Sequence, residues 1–450
     1  MNTKKQTATQ HLFTNKQLRT LLVPIMVEQL LSSLMGTADT MMVSNVGSAA
    51  ISAVSLVDAI NILVIQALSA LAAGGAILCS QYLGSQNLKK AKRSAEQVLF
   101  VMLVLSCSLS LLCLIFRFPL LRLIFGTVDT DVMANSQIYF FFTLLSFPFI
   151  GLYDAGASIL RAQNNTKGPM TISILSNFLN IGGNAILIFV FGMGVAGAAI
   201  ATVLSQLASC VVGFSYMRRR YELLRFSARE RRLDRTAAAR VLQIGAPMAL
   251  QQSIVSCGFL FLQKLVNLFG ESMIASYTVA SRMENILMIP IIGIQNTMAT
   301  YAGQNMGARQ PERVSRGLGQ GVLVSLLLTA ALCLCQLLGR RLIAGAFKLD
   351  EAAAAICDQH LLASALTMPI FAIYFPANGM FQGVGEGFFA TFCALLALGL
   401  RVVFAYCLYQ TALFGYTAIW WSQAMAWTAA LLTCYTHFFR GGWKKKNLVR

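Results

Sequence analysis

The segment Gly84-Ser-Gln-Asn-Leu-Lys-Lys-Ala-Lys-Arg93 decides the fold, because Gly307-Ala-Arg-Gln-Pro-Glu-Arg-Val-Ser-Arg316 follows it at an offset of 223 residues. The same offset relates Pro24 to Pro247, Gln29 to Gln252, Gly47 to Gly270, Ile51 to Ile274 and Gln81 to Gln304. Further along, an offset of 221 relates Pro148 to Pro369, Tyr153 to Tyr374 and Gly194 to Gly415. The chain therefore consists of two halves of nearly equal length, an organisation typical of internally duplicated membrane proteins.

Composition places the chain in a membrane. Of its 450 residues, 57% are hydrophobic and 12% are charged, which is about half the charged share of a soluble domain. The apolar residues form twelve blocks long enough for a helix to cross a hydrocarbon layer about 30 Å thick. These predicted spans lie near 20–43, 51–82, 95–116, 136–160, 169–191, 195–217, 241–268, 274–304, 318–338, 356–381, 387–410 and 413–438. We expect no cleaved signal peptide, since the first span follows a polar segment.

The net charge of +18 follows the membrane topology and does not indicate a nucleic-acid partner. With these spans, 27 of the 35 Lys and Arg residues lie on one side, in both tails and in the loops after spans 2, 4, 6 and 8. The positive-inside rule then predicts that both termini are cytoplasmic. We expect a multi-pass protein of the cell membrane, in contact with lipids and monomeric.

The predicted architecture is an all-α membrane protein with twelve transmembrane helices in two six-helix lobes. The basic loop follows the second span of each half and lies on the same side both times, so the halves form a parallel repeat. We expect an N-terminal lobe at 1–217, a basic cytoplasmic linker at 218–240 and a C-terminal lobe at 241–450.

Acidic residues within spans are costly, and by default they are candidates for function. Span 1 enters from the cytoplasm, which places Glu28 in its inner third and Asp39 about 16 Å further out, on the same helix face. At the depth of Asp39 lie Asn184 of span 5, with Asn180 one turn below it, and Thr202 of span 6. A carboxylate among amide and hydroxyl oxygens can bind sodium or hold a proton.

Asp154 of span 4 lies at about the depth of Glu28, and together they form a possible inner cavity layer. Alternatively, each bonds a neighbouring helix or faces water without a part in transport. Asp58 and Glu284 lie toward the outer ends of their spans, and for Glu284 we expect pairing with a basic neighbour such as Arg282 or Lys264.

The second lobe offers two further polar candidates, Gln252 of span 7 and Arg401 of span 11. For Arg401, structural bonding and anion recognition both stay open. Spans 7 and 10 contain no carboxylate at mid-depth. The three histidines and eleven cysteines show no metal-ligand spacing. We expect no cofactor and no metal beyond a possible sodium ion at Asp39.

Several motifs carry a family resemblance. They are Pro24-Ile-Met-Val-Glu-Gln29, Met35-Gly-Thr-Ala-Asp39-Thr-Met-Met-Val-Ser-Asn-Val-Gly47, Gln263-Lys-Leu-Val-Asn267, Tyr301-Ala-Gly-Gln-Asn-Met-Gly-Ala308 and Gly383-Val-Gly385. With these motifs the chain resembles the multidrug and toxic compound extrusion (MATE) family over essentially all twelve spans. The resemblance implies two six-helix lobes, alternating access and export of organic, often cationic, compounds driven by a sodium or proton gradient.

The resemblance also implies a first-lobe cation site at Asp39, Asn180, Asn184 and Thr202. Some members of the family carry an acid where this chain has Asn184, which leaves one titratable group fewer here. Our leading hypothesis is an antiporter that exports small amphipathic or cationic compounds and is not an enzyme. A cation from outside would occupy the Asp39 cluster, repack span 1 and lower the affinity for the exported compound.

Three alternatives compete with this hypothesis. A lipid-linked saccharide flippase of the same superfamily would need cationic groups for pyrophosphate, for which Arg401, Lys264 and Arg282 are the candidates. A major facilitator protein would also be polytopic and two-lobed, but its acidic-basic element after span 2 is absent. An intramembrane aspartyl protease, suggested by Asp154 and Glu386, would need two carboxylates at one depth, but Glu386 falls in a predicted cytoplasmic turn whose motif duplicates the loop at Ala162 to Asn165.

Overall fold

The computed structural model describes residues 24, 27–28, 31, 38–39, 41–43, 45–126, 129–220, 234–347, 349–411 and 413–446. Within these residues the chain is helical and contains no β-strand. The described residues of the predicted first span, from Pro24 to Val43, are all helical. The predicted all-α class is confirmed.

In the first half, the described helices are α1 Ser48–Gly84, α2 Leu88–Ile115, the short α3 Arg117–Phe125, α4 Thr130–Ala162, α5 Lys167–Asn184 and α6 Gly194–Arg220. A π-helical segment, Ala185–Val190, continues α5. Asn87 caps α2, since its side chain accepts a hydrogen bond of 3.1 Å from Lys90 N. The cap explains why the helix starts directly after the turn that ends α1.

In the second half, the described helices are α7 Arg235–Asn267, α8 Glu271–Gly307, α9 Pro311–Ala346, α10 Glu351–Val384, α11 Gly387–Leu408 and α12 Ala418–Arg440. Short 3₁₀ segments, Gly415–Thr417 and Gly442–Lys445, flank α12. Pro311 occupies the first turn of α9, where its missing N–H costs nothing, and Asp350 caps α10 through a 3.1 Å bond from Ala353 N. Two helices of this half, α9 and α10, therefore start at signals that can be recognised in the sequence.

Nine of the described helices are long and apolar enough to cross a membrane, namely α1, α2, α4, α5 with its π segment, α6, α8, α9, α10 and α11. α7 and α12 lie at the predicted seventh and twelfth spans. Large apolar side chains such as Leu123, Leu342 and Phe439 are exposed on helix surfaces. Such exposure is expected where the surrounding solvent is lipid.

The duplication is visible in the backbone of the turns as well as in the sequence. Positive φ angles occur in offset-related pairs: Gln86 and Arg309 at 60° and 57°, Asn164 and Gly385 at 63° and 101°, Gly47 and Gly270 at 141° and 87°, and Gly194 and Gly415 at 54° and 50°. Residues other than glycine rarely adopt such angles. The same tight turns therefore connect corresponding helices in both halves.

The chain divides into two compact units between Ala249 and Leu250, within α7. In the unit Val23–Ala249, the first part of α7 packs closely on α1, because a Cβ atom added to Gly74 would overlap the backbone of Gly245. Small residues allow such close approach of membrane helices. The predicted boundaries at 1–217, 218–240 and 241–450 stay predictions, and residues 221–233 of the linker lie outside the described part of the chain.

Candidate cation site

A chain of polar contacts joins the helix of the predicted first span, which contains Asp39 and is called the first helix below, to α5 and α6. Asn184 Nδ2 donates to Asp39 Oδ1 at 2.5 Å and approaches Asn180 Oδ1 at 3.5 Å. Asn180 Nδ2 in turn donates to Thr202 Oγ1 at 3.2 Å. The structure therefore brings together the four residues that the sequence analysis grouped, from three separate helices.

The local conformation of α5 and α6 positions these side chains. Asn180 and Asn184 are one turn apart on α5 and so share a face. Thr202 donates its own hydroxyl to Ala198 O at 3.0 Å, which leaves the Oγ1 lone pairs directed to Asn180. The π-helical segment begins at Ala185, directly after Asn184. Such segments inside α-helices are frequent at functional sites because they loosen the regular backbone bonding.

The site is buried, and its charge lacks a basic partner in the part of the chain that the structure describes. Asp39 is 5% exposed, and Asn180 and Asn184 are 0% exposed. Within the described residues, no Lys, Arg or His forms an ion pair with Asp39. Asn184 Oδ1 is likewise buried without a hydrogen-bond donor in that part of the chain. A buried carboxylate beside an unused carbonyl oxygen needs a proton or a bound cation to avoid a large desolvation cost.

The sequence analysis missed one group near this site. Tyr139 of α4 donates its hydroxyl to Asp58 Oδ1 at 3.2 Å, and Asn61 Nδ2 approaches the same oxygen at 3.4 Å. Asp58 lies within electrostatic range of Asp39. The acid on α1 was recognised from its place in a span, but the tyrosine carried no signal because aromatic residues are common in apolar helices. A second carboxylate, Asp58 of α1, therefore lies near the site, whereas α5 contributes the amide of Asn184.

The inner acids Glu28 and Asp154 lie near a basic residue, Arg161, which the predicted span boundaries place in the loop after span 4. Arg161 lies in the last turn of α4, and its Nη2 contacts Glu28 Oε1 at 2.7 Å. Asp154 accepts a hydrogen bond from Ser69 and lies within electrostatic range of both Glu28 and Arg161. Arg161 follows the predicted end of span 4 by one residue, and α4 continues to Ala162. A cavity at Glu28 and Asp154 stays a prediction.

Replacing Arg161 by Met is expected to destabilise the protein by about 3 kcal/mol, the lower end of the usual loss, because the buried Glu28 carboxylate loses its ion-pair partner. Arg161→Met combined with Glu28→Gln should recover part of that loss. Thermal unfolding of the purified protein in one detergent measures both effects. Arg122→Met removes an exposed arginine of α3 and serves as the control. Equal unfolding temperatures for the Arg161 and Arg122 variants would contradict the proposed role of the pair.

In the second lobe, Gln252 is half-buried on α7 and Arg401 is buried on α11. The expected partners of Glu284 were wrong: Lys264 and Arg282 are exposed, and His360 Nε2 lies 3.2 Å from Glu284 Oε1. The error arose because histidine was judged too scarce to matter. The second lobe also contains a buried amide network in which Gln295 and Gln382 both donate to Asn378 Oδ1, at 3.0 and 2.9 Å. Amides of this kind gave no distinct signal in the sequence.

Glu386 is buried and structural. His437 Nε2 lies 2.7 Å from Glu386 Oε2, and Lys446 Nζ lies 3.3 Å from Oε1. The 221 offset relates this pair to Asn165 and Tyr216, which also contact each other at 3.2 Å. Both pairs therefore tie the start of one helix to the end of another, at corresponding places in the two halves. Within the described residues, no three His, Cys, Asp or Glu side chains lie together in a group that could hold a metal ion.

The fold and this site define a polytopic helical membrane protein made of two related halves. The MatE family model matches residues 24–186 and 247–407, one segment in each half. The chain belongs to the MatE family, and the resemblance to multidrug and toxic compound extrusion transporters is confirmed.

Individual relatives agree with this assignment over nearly the whole chain. The chain is 24% identical over 440 residues to a probable multidrug resistance protein, YoeA, of Bacillus subtilis, covering 95% of this chain and 94% of the relative. It is 25% identical over 422 residues to the multidrug export protein MepA of Staphylococcus saprophyticus, covering 92% of each. A solved structure of a MOP superfamily transporter from Pyrococcus furiosus superimposes with a TM-score of 0.88 at 23% identity, covering 96% of this chain and 97% of that one.

Proposed function

We propose that this protein is an antiporter that exports small amphipathic or cationic organic compounds by alternating access, driven by a proton or sodium gradient. One observation carries the proposal: Asp39 is a buried carboxylate, held by an amide and without a basic partner among the described residues. Such a group is stable when a small cation or a proton occupies it. Occupancy of the site therefore couples to the stability of the first lobe.

The coupling step uses the contact between the first helix and α5. With Asp39 charged, the carboxylate holds Asn184 Nδ2 and thereby ties the two helices together. A proton or sodium ion at Asp39 neutralises that charge and competes with the amide for the carboxylate oxygens. The π-helical segment after Asn184 lets α5 adjust at low cost. The first helix then repacks, the affinity for the exported compound falls, and the compound leaves on the outer side.

The proposed substrate class is supported by the relatives that are named as multidrug resistance and multidrug export proteins. A chain rich in Phe and Met, with 29 and 19 residues, can offer ring faces and thioethers to flat organic cations. The proposed location is the cell membrane with cytoplasmic termini, in accordance with the distribution of basic residues.

The flippase alternative is less well supported. It needs unbalanced cationic groups for pyrophosphate, whereas Lys264 and Arg282 are exposed and Arg401 lies within electrostatic range of Glu284. Binding of ethidium-like cations by the purified protein, without binding of a lipid pyrophosphate, is the expected outcome. The reverse result would replace the antiporter proposal with the flippase.

Efflux from proteoliposomes under separately imposed gradients tests the proposal. We expect movement of ethidium with a proton gradient or a sodium gradient, and none when both gradients are collapsed. Asn184→Asp adds a second carboxylate to the site, so efflux by this variant should rise more steeply with the concentration of the driving cation. If the efflux rate of the unaltered protein depends on neither gradient, ion coupling is contradicted.

A further inference from the structure

The second lobe contains a buried histidine held between two aromatic rings. His360 of α10 stacks on Trp420 of α12 at 4.8 Å between centroids and on Tyr277 of α8 at 5.7 Å, with interplanar angles of 18° and 22°. Its Nε2 lies 3.2 Å from Glu284 Oε1. The imidazole therefore has a ring on each face and a carboxylate at one edge, while 2% of the residue is exposed.

The internal duplication gives this cluster a counterpart in the first lobe. The 221 offset relates His360 to Tyr139 and Arg401 to Asn180, and the 223 offset relates Glu284 to Asn61. Tyr139 and Asn61 are the residues that contact Asp58, and Asn180 belongs to the Asp39 cluster. The second lobe therefore carries ionisable residues at three positions where the first lobe has a phenol and two amides.

The charges around His360 are nearly balanced without it. The titratable and charged groups on the packed elements that lie nearest to His360 in sequence depth include Tyr277, Arg282 and Glu284 on α8, Arg340 and Arg341 on α9, Cys357 and Asp358 on α10, Arg401 on α11 and Tyr416 before α12, and of these Arg282 is exposed. Arg340 and Asp358 pair with each other at 3.1 Å. Glu284 and Arg401 lie within electrostatic range of one another. A proton on the Glu284–His360 pair therefore changes the net charge of the cluster by one.

We propose that Glu284 and His360 form a second proton-binding site of this protein, separate from the Asp39 cluster. The carboxylate at one edge and the two ring faces each stabilise an imidazolium, the rings through cation–π attraction. Arg401 lies within electrostatic range of Glu284 and competes with the imidazolium for that carboxylate. The proposal does not depend on a coupling role for Asp39.

Two details of the pair fit a reversible proton site. The Glu284 side chain is 16% exposed, so the pair is not fully enclosed. His360 Nδ1 is buried without a hydrogen-bond partner in the described part of the chain. Buried polar atoms without a partner are rare and often mark functional positions. With Nε2–H donated to the Glu284 carboxylate, the added proton binds Nδ1, and the tie between α8 and α10 strengthens because the Nε2 hydrogen bond then joins two opposite charges.

The fluorescence of Trp420 reports the proton directly, since a protonated imidazole stacked on an indole quenches its emission. In the purified full-length protein, acidification from about pH 8 to about pH 5 should lower total tryptophan emission by up to roughly a quarter, because Trp420 is one of four tryptophans. His360→Gln should abolish this pH-dependent change. Glu284→Gln should weaken it at any given pH, because the imidazolium loses its counter-ion.

Two variants keep the test decisive. Trp420→Phe preserves an aromatic ring, and it should remove the quenching even if His360→Gln fails to fold. His437→Gln changes the other His–Glu pair, whose ring contacts Phe381 and Phe389, and should leave the quenching unchanged. Asp39→Asn should leave it unchanged as well, which separates this site from the coupling proposal. A pH-dependent change of equal size in His360→Gln or Trp420→Phe would overturn the proposal.

Discussion

Asp39→Asn is expected to reduce gradient-driven efflux by about a hundredfold or more while leaving the protein folded in the membrane. Asparagine has the size of aspartate and can still bond Asn184, so the packing of the first helix on α5 persists. An amide carries no charge and takes up no proton, so occupancy of the site no longer depends on a gradient. Ethidium efflux from proteoliposomes, normalised to the amount of folded protein, measures the effect.

Asp131→Asn is the matched control, because it makes the same chemical change at an exposed acid in the first turn of α4. Efflux by this variant should equal that of the unaltered protein. Asp58→Asn should give an intermediate loss, since Asp58 lies within electrostatic range of Asp39 and is held by Tyr139. Full transport by Asp39→Asn would refute the coupling scheme even though the fold is right.

Gly383→Ala is expected to destabilise the second lobe by about 3 kcal/mol, the upper end of the usual cost of overpacking. α8 and α10 approach closely here, since a Cβ atom at Gly383 would overlap Ala299 O and lie 2.9 Å from Ala302 Cβ. A backbone carbonyl cannot move aside as a flexible side chain does, so the helices must separate. Gly379→Ala meets Gln295 O in the same way and should have a similar effect.

Thermal unfolding and size-exclusion profiles in one detergent measure these losses. Gly399 offers a matched control within α11, because nothing lies within 4 Å of a Cβ atom added there. Gly399→Ala should be neutral or slightly stabilising, as expected for alanine in a helix interior. If Gly383→Ala and Gly399→Ala unfold at the same temperature, close packing of α8 on α10 does not limit stability.

Much of the fold could be predicted, because its signals are local. The predicted spans from 51–82 onward all correspond to helices, with ends that differ by a few residues where caps such as Asn87 and Asp350 set the start. The candidate site could be predicted in part, because Asp39, Asn180 and Asn184 follow from helix depth and spacing. Arg161 could not be placed, since a basic residue at a helix end reads equally well as part of a loop.

The sequence by itself determined that the chain enters the membrane, that it is built from two repeated halves, and that a few carboxylates lie within apolar helices. These properties depend on composition and periodicity, which each segment carries alone. Only the tertiary structure decided the partners: Arg161 for Glu28, Tyr139 for Asp58, and His360 for Glu284. A polar side chain inside a membrane bonds whatever group the neighbouring helix offers at the same depth and rotation. Those two variables are fixed by helix packing, which residue spacing along one chain does not specify.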